Sequence, residues 1–169
     1  MKKQKFDLDK IKVAIFDFDD TLAIHKDVDY KKRRNESEEN LINYYLNAYL
    51  NPNSFYEIIE PCSISQPIFK LINILRKNNV EIYCVSGMKF SFHLEAKEYF
   101  VHKYYENDIK VISSRNHELK VVAAKIISKI NNCDLNEILF VDDMKENIID
   151  LNKAGINGIL PDIVDSLII

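Results

Sequence analysis

The sequence predicts a doubly wound α/β domain, a parallel sheet covered by helices on both faces. Three observations predict it. Short apolar runs alternate with stretches of helical periodicity from Pro67 onward. Those runs are apolar at most positions, as strands covered on both faces are. Two of them, at 11–16 and 138–141, run directly into closely spaced aspartates.

The first strand is the run IKVAIF at 11–16, which ends in the tetrad DFDD at 17–20, followed by Thr21 and Leu22. After Pro67, the residues Ile68, Phe69, Leu71, Ile72 and Leu75 recur at helical spacing, with Ser65 as N-cap and Asn78 and Asn79 as the stop. The next strand is VEIYCV at 80–85, and a helix over 91–105 leads to a short strand at 109–112. Asn116 then caps a helix that carries Leu119, Val122, Ala123, Ile126, Ile127 and Ile130 on one face. The strand ILFV at 138–141 follows. A helix through Ile148, Ile149 and Leu151 stops at Gly155, and a last strand lies near 158–160. Strands separated by helices of this length imply right-handed crossovers and a parallel sheet.

Residues 24–64 break the rhythm. They hold the charged stretch HKDVDYKKRRNESEEN, a helix over 38–50, the breaker NPNS and a short element around 55–59. The chain 1–169 therefore reads as one domain, with 24–64 as a small helical cap insert beside the first acidic strand end. The basic run at 31–34 reads first as a solvated face and second as a patch that meets an anionic substrate. Tyr45 and Tyr49, four residues apart, either pack within the insert or line a substrate pocket.

With 169 residues, the chain is long enough for one sizeable core. An apolar share of 47% with 29% charged residues is that of a globular protein, and a net charge of -3 gives no case for general nucleic-acid binding. No apolar run approaches a membrane span, and the start MKKQKFDLDK lacks the apolar stretch of a signal peptide, so a cytoplasmic location is expected. Cys62, Cys84 and Cys133 form no CxxC pair and the histidines no ligand spacing, which argues against a disulfide framework and a zinc site.

The aspartates carry the chemistry. Carboxylates crowded at the end of a buried strand repel one another and lose hydration unless a cation or hydrogen-bond donors compensate. Asp17 and Asp19 stand in that situation after the first strand, and Asp142 and Asp143 after ILFV. In an open parallel sheet the ligand crevice lies outside the carboxyl ends of the strands, where strand order reverses, so the two acidic sets can converge there. Magnesium, a hard cation that takes carboxylates, waters and phosphate oxygens, suits such a site. The competing explanation, that Asp is a common turn former at strand ends, accounts for one such set more readily than for two.

Taken in order, DxDxT (Asp17, Asp19, Thr21), a serine and glycine after a strand (Ser86, Gly87), a lysine opening a helix (Lys120) and an acidic pair after a later strand (Asp142, Asp143) resemble the motifs of the haloacid dehalogenase-like hydrolase superfamily. The resemblance covers 11–23 and 65–160. It implies a Rossmann-like core and phosphatase chemistry that uses Mg²⁺. Asp17 is then the nucleophile that becomes an aspartyl phosphate, and Asp19 the acid and base in turn. Thr21, Ser86, Gly87 and Lys120 bind the phosphoryl group. Asp17, the Asp19 carbonyl, Asp142 and Asp143 hold the metal, and Asn147 either supports its water shell or lies on the outer face of its helix. The implied charge count has Asp19 protonated and three carboxylates facing Mg²⁺ and Lys120.

Asp19 argues against dehalogenases and phosphonate hydrolases of the superfamily, and Thr21 against its phosphomutases. The expected reaction is hydrolysis of a phosphomonoester, on a phosphorylated small molecule or, past a reduced cap, the phosphorylated end of a macromolecule. Two other classes stand beside it. A receiver-like phosphoacceptor would be labelled once and stop, and a non-catalytic binding protein of the same fold would keep magnesium affinity without turnover.

Overall fold

A computed structural model of the chain describes residues 7–25, 36–50, 59–61, 66–88, 91–115 and 119–168. The central strands are β1 (Val13–Phe16), β4 (Glu81–Ser86), β5 (Lys110–Ser113), β6 (Ile138–Val141) and β7 (Asn157–Ile159), all parallel, in the order β5-β4-β1-β6-β7. The chain builds β1, β4 and β5 outward on one side, then returns to place β6 and β7 on the other. Strand order thus reverses between β1 and β6, and the crevice of an open sheet lies at their carboxyl ends.

Strand alternation splits the core into two layers. Ala14, Phe16, Ile82, Cys84, Leu139 and Val141 meet Ile68, Leu71 and Leu75 of α2 (Gln66–Lys77) and Ala96, Phe100 and Tyr105 of α3 (Phe92–Tyr105). Val13, Ile15, Tyr83, Val85, Ile138 and Phe140 meet Ala124 and Ile127 of α4 (Lys120–Ile130) and Leu151 of α5 (Lys145–Lys153). Burying each of the Val, Ile, Leu and Phe side chains among these contributes about 1.5–3 kcal/mol relative to exposure. The stops are those expected of their residues: Asn79 (φ 55) follows α2 and Gly155 (φ 85) follows α5, both left-handed.

Between β1 and α2 the described elements are β2 (Ala23–His25), α1 (Glu38–Leu50) and β3 (Ile59–Pro61). The helix matches the expected range. β2 and β3 pair antiparallel, a ribbon that the sequence reading missed because three residues are too few to show a period. α1 lies alongside α3. The basic run at 31–34, the breaker NPNS, the element at 55–58 and Ser65 lie outside the described residues, as do the side chains of Tyr45 and Tyr49.

The expected face of α4 needs correction. Its inward residues are Lys120, Ala124, Ile127 and Ser128, whereas Val122, Ile126 and Ile130 are 47%, 54% and 67% exposed and Leu119 precedes the helix. Asn116, the expected cap, lies outside the described residues. The reason is that two inward positions are polar: Lys120 turns into the carboxyl end of the sheet, and Ser128 donates to the Cys133 carbonyl at 2.6 Å. Counting apolar residues alone selects the wrong stripe. Among the described residues no helix is long and apolar enough to cross a membrane.

Candidate active site

β1 delivers Asp17 directly. Its backbone N–H continues the sheet by donating to the Val141 carbonyl at 2.9 Å, and the Asp142 N–H likewise donates to the Ile159 carbonyl at 3.1 Å. Both residues are buried, and adjacent parallel strands place them side by side. After Asp17 the chain makes a tight turn in which the N–H groups of Leu22 and Ala23 donate to the Phe18 carbonyl, with Asp20 left-handed at φ 54. Phe18 anchors this turn by packing edge-on against Phe100, and Tyr105 Oη donates to the Leu22 carbonyl at 2.5 Å.

Asp17, Asp142 and Asp143 each offer one carboxylate oxygen within 4.8 Å of the others, an arrangement able to hold a metal ion. Lys120, 1% exposed, reaches into the same place from the first residue of α4. Its Nζ lies 2.8 Å from Asp17 Oδ2 and 2.7 Å from Asp142 Oδ2. Asn147 faces inward: its Nδ2 donates to Asp142 Oδ1 at 3.0 Å and Oδ2 at 3.1 Å, while the Met144 N–H holds Oδ1 at 2.9 Å.

The electrostatics follow from this crowding. Burial pushes the Asp17 carboxyl up to about 6, with Lys120 opposing the rise and Asp142 and Asp19 adding to it. For Lys120, burial disfavours the ammonium, but Asp17 and Asp142 together outweigh it and raise its pKa above the usual lysine value. It remains a cation across the physiological range.

Ser86 ends β4 and is fully buried, with Gly87 next to it half-buried. The sequence reading missed what joins Ser86 to Asp19. Lys97 of α3, 3% exposed, places Nζ 2.8 Å from Asp19 Oδ2 and 2.7 Å from Ser86 Oγ, with the Phe18 ring centroid 4.5 Å away. A signal for it existed. His93, Ala96, Lys97, Phe100 and Val101 are the inward residues of α3, so a lysine stands in the register of a buried stripe, where lysine is rare unless paired. Thr21 is fully buried, and its Oγ1 has no hydrogen-bond partner among the described residues.

The residues present fit a divalent cation. Asp17, Asp142 and Asp143 as carboxylates against Lys120 leave two negative charges at an all-oxygen donor set, which one Mg²⁺ offsets.

No family model matches the sequence, and no curated protein sequence matches it. Solved structures do. A phospho-aspartyl intermediate analogue of phosphoserine phosphatase is similar at 17% identity and TM-score 0.56, over 93% of this chain and 90% of that one. A haloacid dehalogenase-like (HAD) family enzyme of Bacteroides thetaiotaomicron, in its magnesium complex, is similar at 18% identity and TM-score 0.52, over 90% and 93%. The same enzyme with magnesium and inorganic phosphate gives 17% and 0.52, over 89% and 93%. The chain has the HAD-like hydrolase fold. Its five-stranded parallel sheet with helices on both faces is the expected doubly wound α/β architecture.

Proposed function

We propose that the protein is a magnesium-dependent phosphomonoester hydrolase that acts through an aspartyl phosphate on Asp17. The observation that carries this reading is the convergence of buried Asp17 and Asp142 with half-buried Asp143, the first two bridged by the Lys120 ammonium, at the carboxyl end of the strands where order reverses. The HAD-like neighbours support it: one is an analogue of a phospho-aspartyl intermediate, and another is a complex with magnesium and inorganic phosphate.

In this reading Asp17 attacks phosphorus while Lys120 steadies the nucleophile and the transferring group. Asp19 gives its proton to the leaving oxygen as the P–O bond to the alcohol breaks. It then takes a proton from the water that cleaves the Asp17 phosphate ester. Ser86, Thr21 and the Gly87 segment receive the phosphoryl oxygens; the buried Thr21 hydroxyl, without a partner among the described residues, gains one when phosphate arrives. Asp17, Asp142, Asp143 and the Asp19 carbonyl hold Mg²⁺, with Asn147 fixing Asp142. Bound there, the ion supplies charge stabilisation to a transfer whose barrier falls mostly through positioning and electrostatics. Residues 24–64 form a small cap, and the substrate is a phosphorylated small molecule or macromolecular end.

The test is phosphate release across nucleotides, sugar phosphates and phosphorylated oligonucleotides, with and without Mg²⁺. Magnesium-dependent turnover that disappears in Asp17→Asn is the expected outcome. Labelling that stops after one equivalent would favour a phosphoacceptor, and magnesium affinity without turnover a binding protein.

A further inference from the structure

Lys97 has no place in the scheme so far, yet it is among the most thoroughly buried charges among the described residues. Packing alone does not explain it. Met in its place would fill the same volume on the inward face of α3 without desolvating an ammonium. Its two polar partners come from different strand ends: Asp19 from the turn after β1 and Ser86 from the end of β4. Those are the residues given the leaving oxygen and a phosphoryl oxygen in the proposed reaction, on which this inference rests.

We infer that Lys97 is a positioning residue that sets the leaving-group half of the site by holding Asp19 and Ser86 in one geometry. Two consequences follow from the hydrogen-bond roles. An ammonium only donates, so Ser86 Oγ accepts from Lys97 and the serine's own hydrogen is directed elsewhere, towards an incoming phosphoryl oxygen. Lys97 also donates to Asp19 Oδ2, and in this proposal the proton that Asp19 exchanges with the substrate travels on Oδ1. In the first step the Asp17–P bond forms, the P–O bond to the alcohol breaks, and the Asp19 Oδ1 proton moves to the departing oxygen. In the second, water oxygen bonds to phosphorus, the Asp17–P bond breaks, and a water proton returns to Oδ1. Lys97 keeps all its protons throughout. The Phe18 ring against the ammonium fixes the lysine on its remaining side.

A residue that acts through Asp19 matters most when the leaving group needs a proton. The full chain with Mg²⁺ is therefore assayed on an alkyl phosphomonoester and on 2,4-dinitrophenyl phosphate, whose leaving group needs none, and kcat/KM is read because it reports formation of the phosphoenzyme. In Lys97→Met, kcat/KM is expected to fall about 100-fold on the alkyl ester and by less than about threefold on the dinitrophenyl ester. Adding Lys97→Met to Asp19→Asn is expected to cost little more on the alkyl ester than Asp19→Asn alone. Equal losses on both esters, or no loss on either, would overturn the inference. Should Lys97→Met fail to fold, Lys97→Arg, which keeps the charge and changes the reach, is read on the same two esters with the same criterion. If wild type cleaves neither of these esters nor any member of the panel above, the phosphatase reading itself fails and takes this one with it, an outcome distinct from uniform losses in an active enzyme.

Discussion

The two buried lysines divide the site into halves of different construction. Lys120 joins two carboxylates that the sheet already holds side by side, Asp17 and Asp142, both nearly or fully buried. Lys97 joins a carboxylate to a hydroxyl across a loop and a strand end, and its Asp19 partner has a side chain 32% exposed. One half is a fixed cluster of opposite charges in low dielectric. The other borders solvent, on the side where the proposed leaving group departs. A rigid half suits the proposed nucleophile and metal site, whose geometry must not change. A half open to water suits proton exchange with a substrate that comes and goes.

The largest effect that tests this contrast is on stability. Lys120→Met leaves buried carboxylates without their cation and is expected to cost about 3 kcal/mol or more at neutral pH without metal. Lys97→Met should cost nearer about 1 kcal/mol, because Asp19 can rehydrate. Chemical denaturation of both variants measures the difference, and equal costs would break the comparison.

A somewhat smaller effect concerns Asp17 alone. Its carboxyl lies near 6 in the folded, metal-free protein against 3.8 unfolded, chiefly through burial. Between those values the native state binds the proton more tightly, so this group's contribution to stability falls as pH rises through the window. Above it the cost is on the order of 3 kcal/mol. Asp17→Asn should therefore be more stable than metal-free wild type above pH about 6, and the gain should shrink towards pH about 4. Unfolding curves of the two proteins across that range check the sign. A gain independent of pH would show that the nucleophile half is not strained by its charge.

The smallest expected effect lies outside both halves. Ile126→Lys, on the exposed face of α4, should change stability by less than about 0.5 kcal/mol. A loss of several times that would restore the apolar stripe as a packed face.

The same division describes what could be read from the sequence. Lys120 was legible only through the resemblance of the ordered motifs, whereas Asp17, Asp142 and Asp143 were legible because each follows from a local rule: an apolar run marks a buried strand, and an acid after it stands at the ligand end of a parallel sheet. The fold was legible for the same reason, and ILFV and the helix at 38–50 fell on the observed β6 and α1. Lys97 was not, since its importance depends on α3 packing so that one helix position meets residues 11 and 78 places away in the chain. The buried side of α4 failed on the same ground: Lys120 and Ser128 face inward for polar reasons that a hydrophobic count assigns to solvent. Short ribbons such as β2 and β3 carry too few residues for any period to appear.

The amides of Asp17 and Asp142 are rungs of the central sheet. The Asp17 hydrogen, between β1 and β6 in the middle of the sheet, can trade places with solvent only when those strands part, whereas the Asp142 hydrogen is released once the edge strand β7 lifts away. Exchange at Asp17 is thus a clock for opening of the central sheet, and exchange at Asp142 one for its edge. Asp17 is held by the sheet itself, and in the proposed reaction movement comes from the groups that approach it.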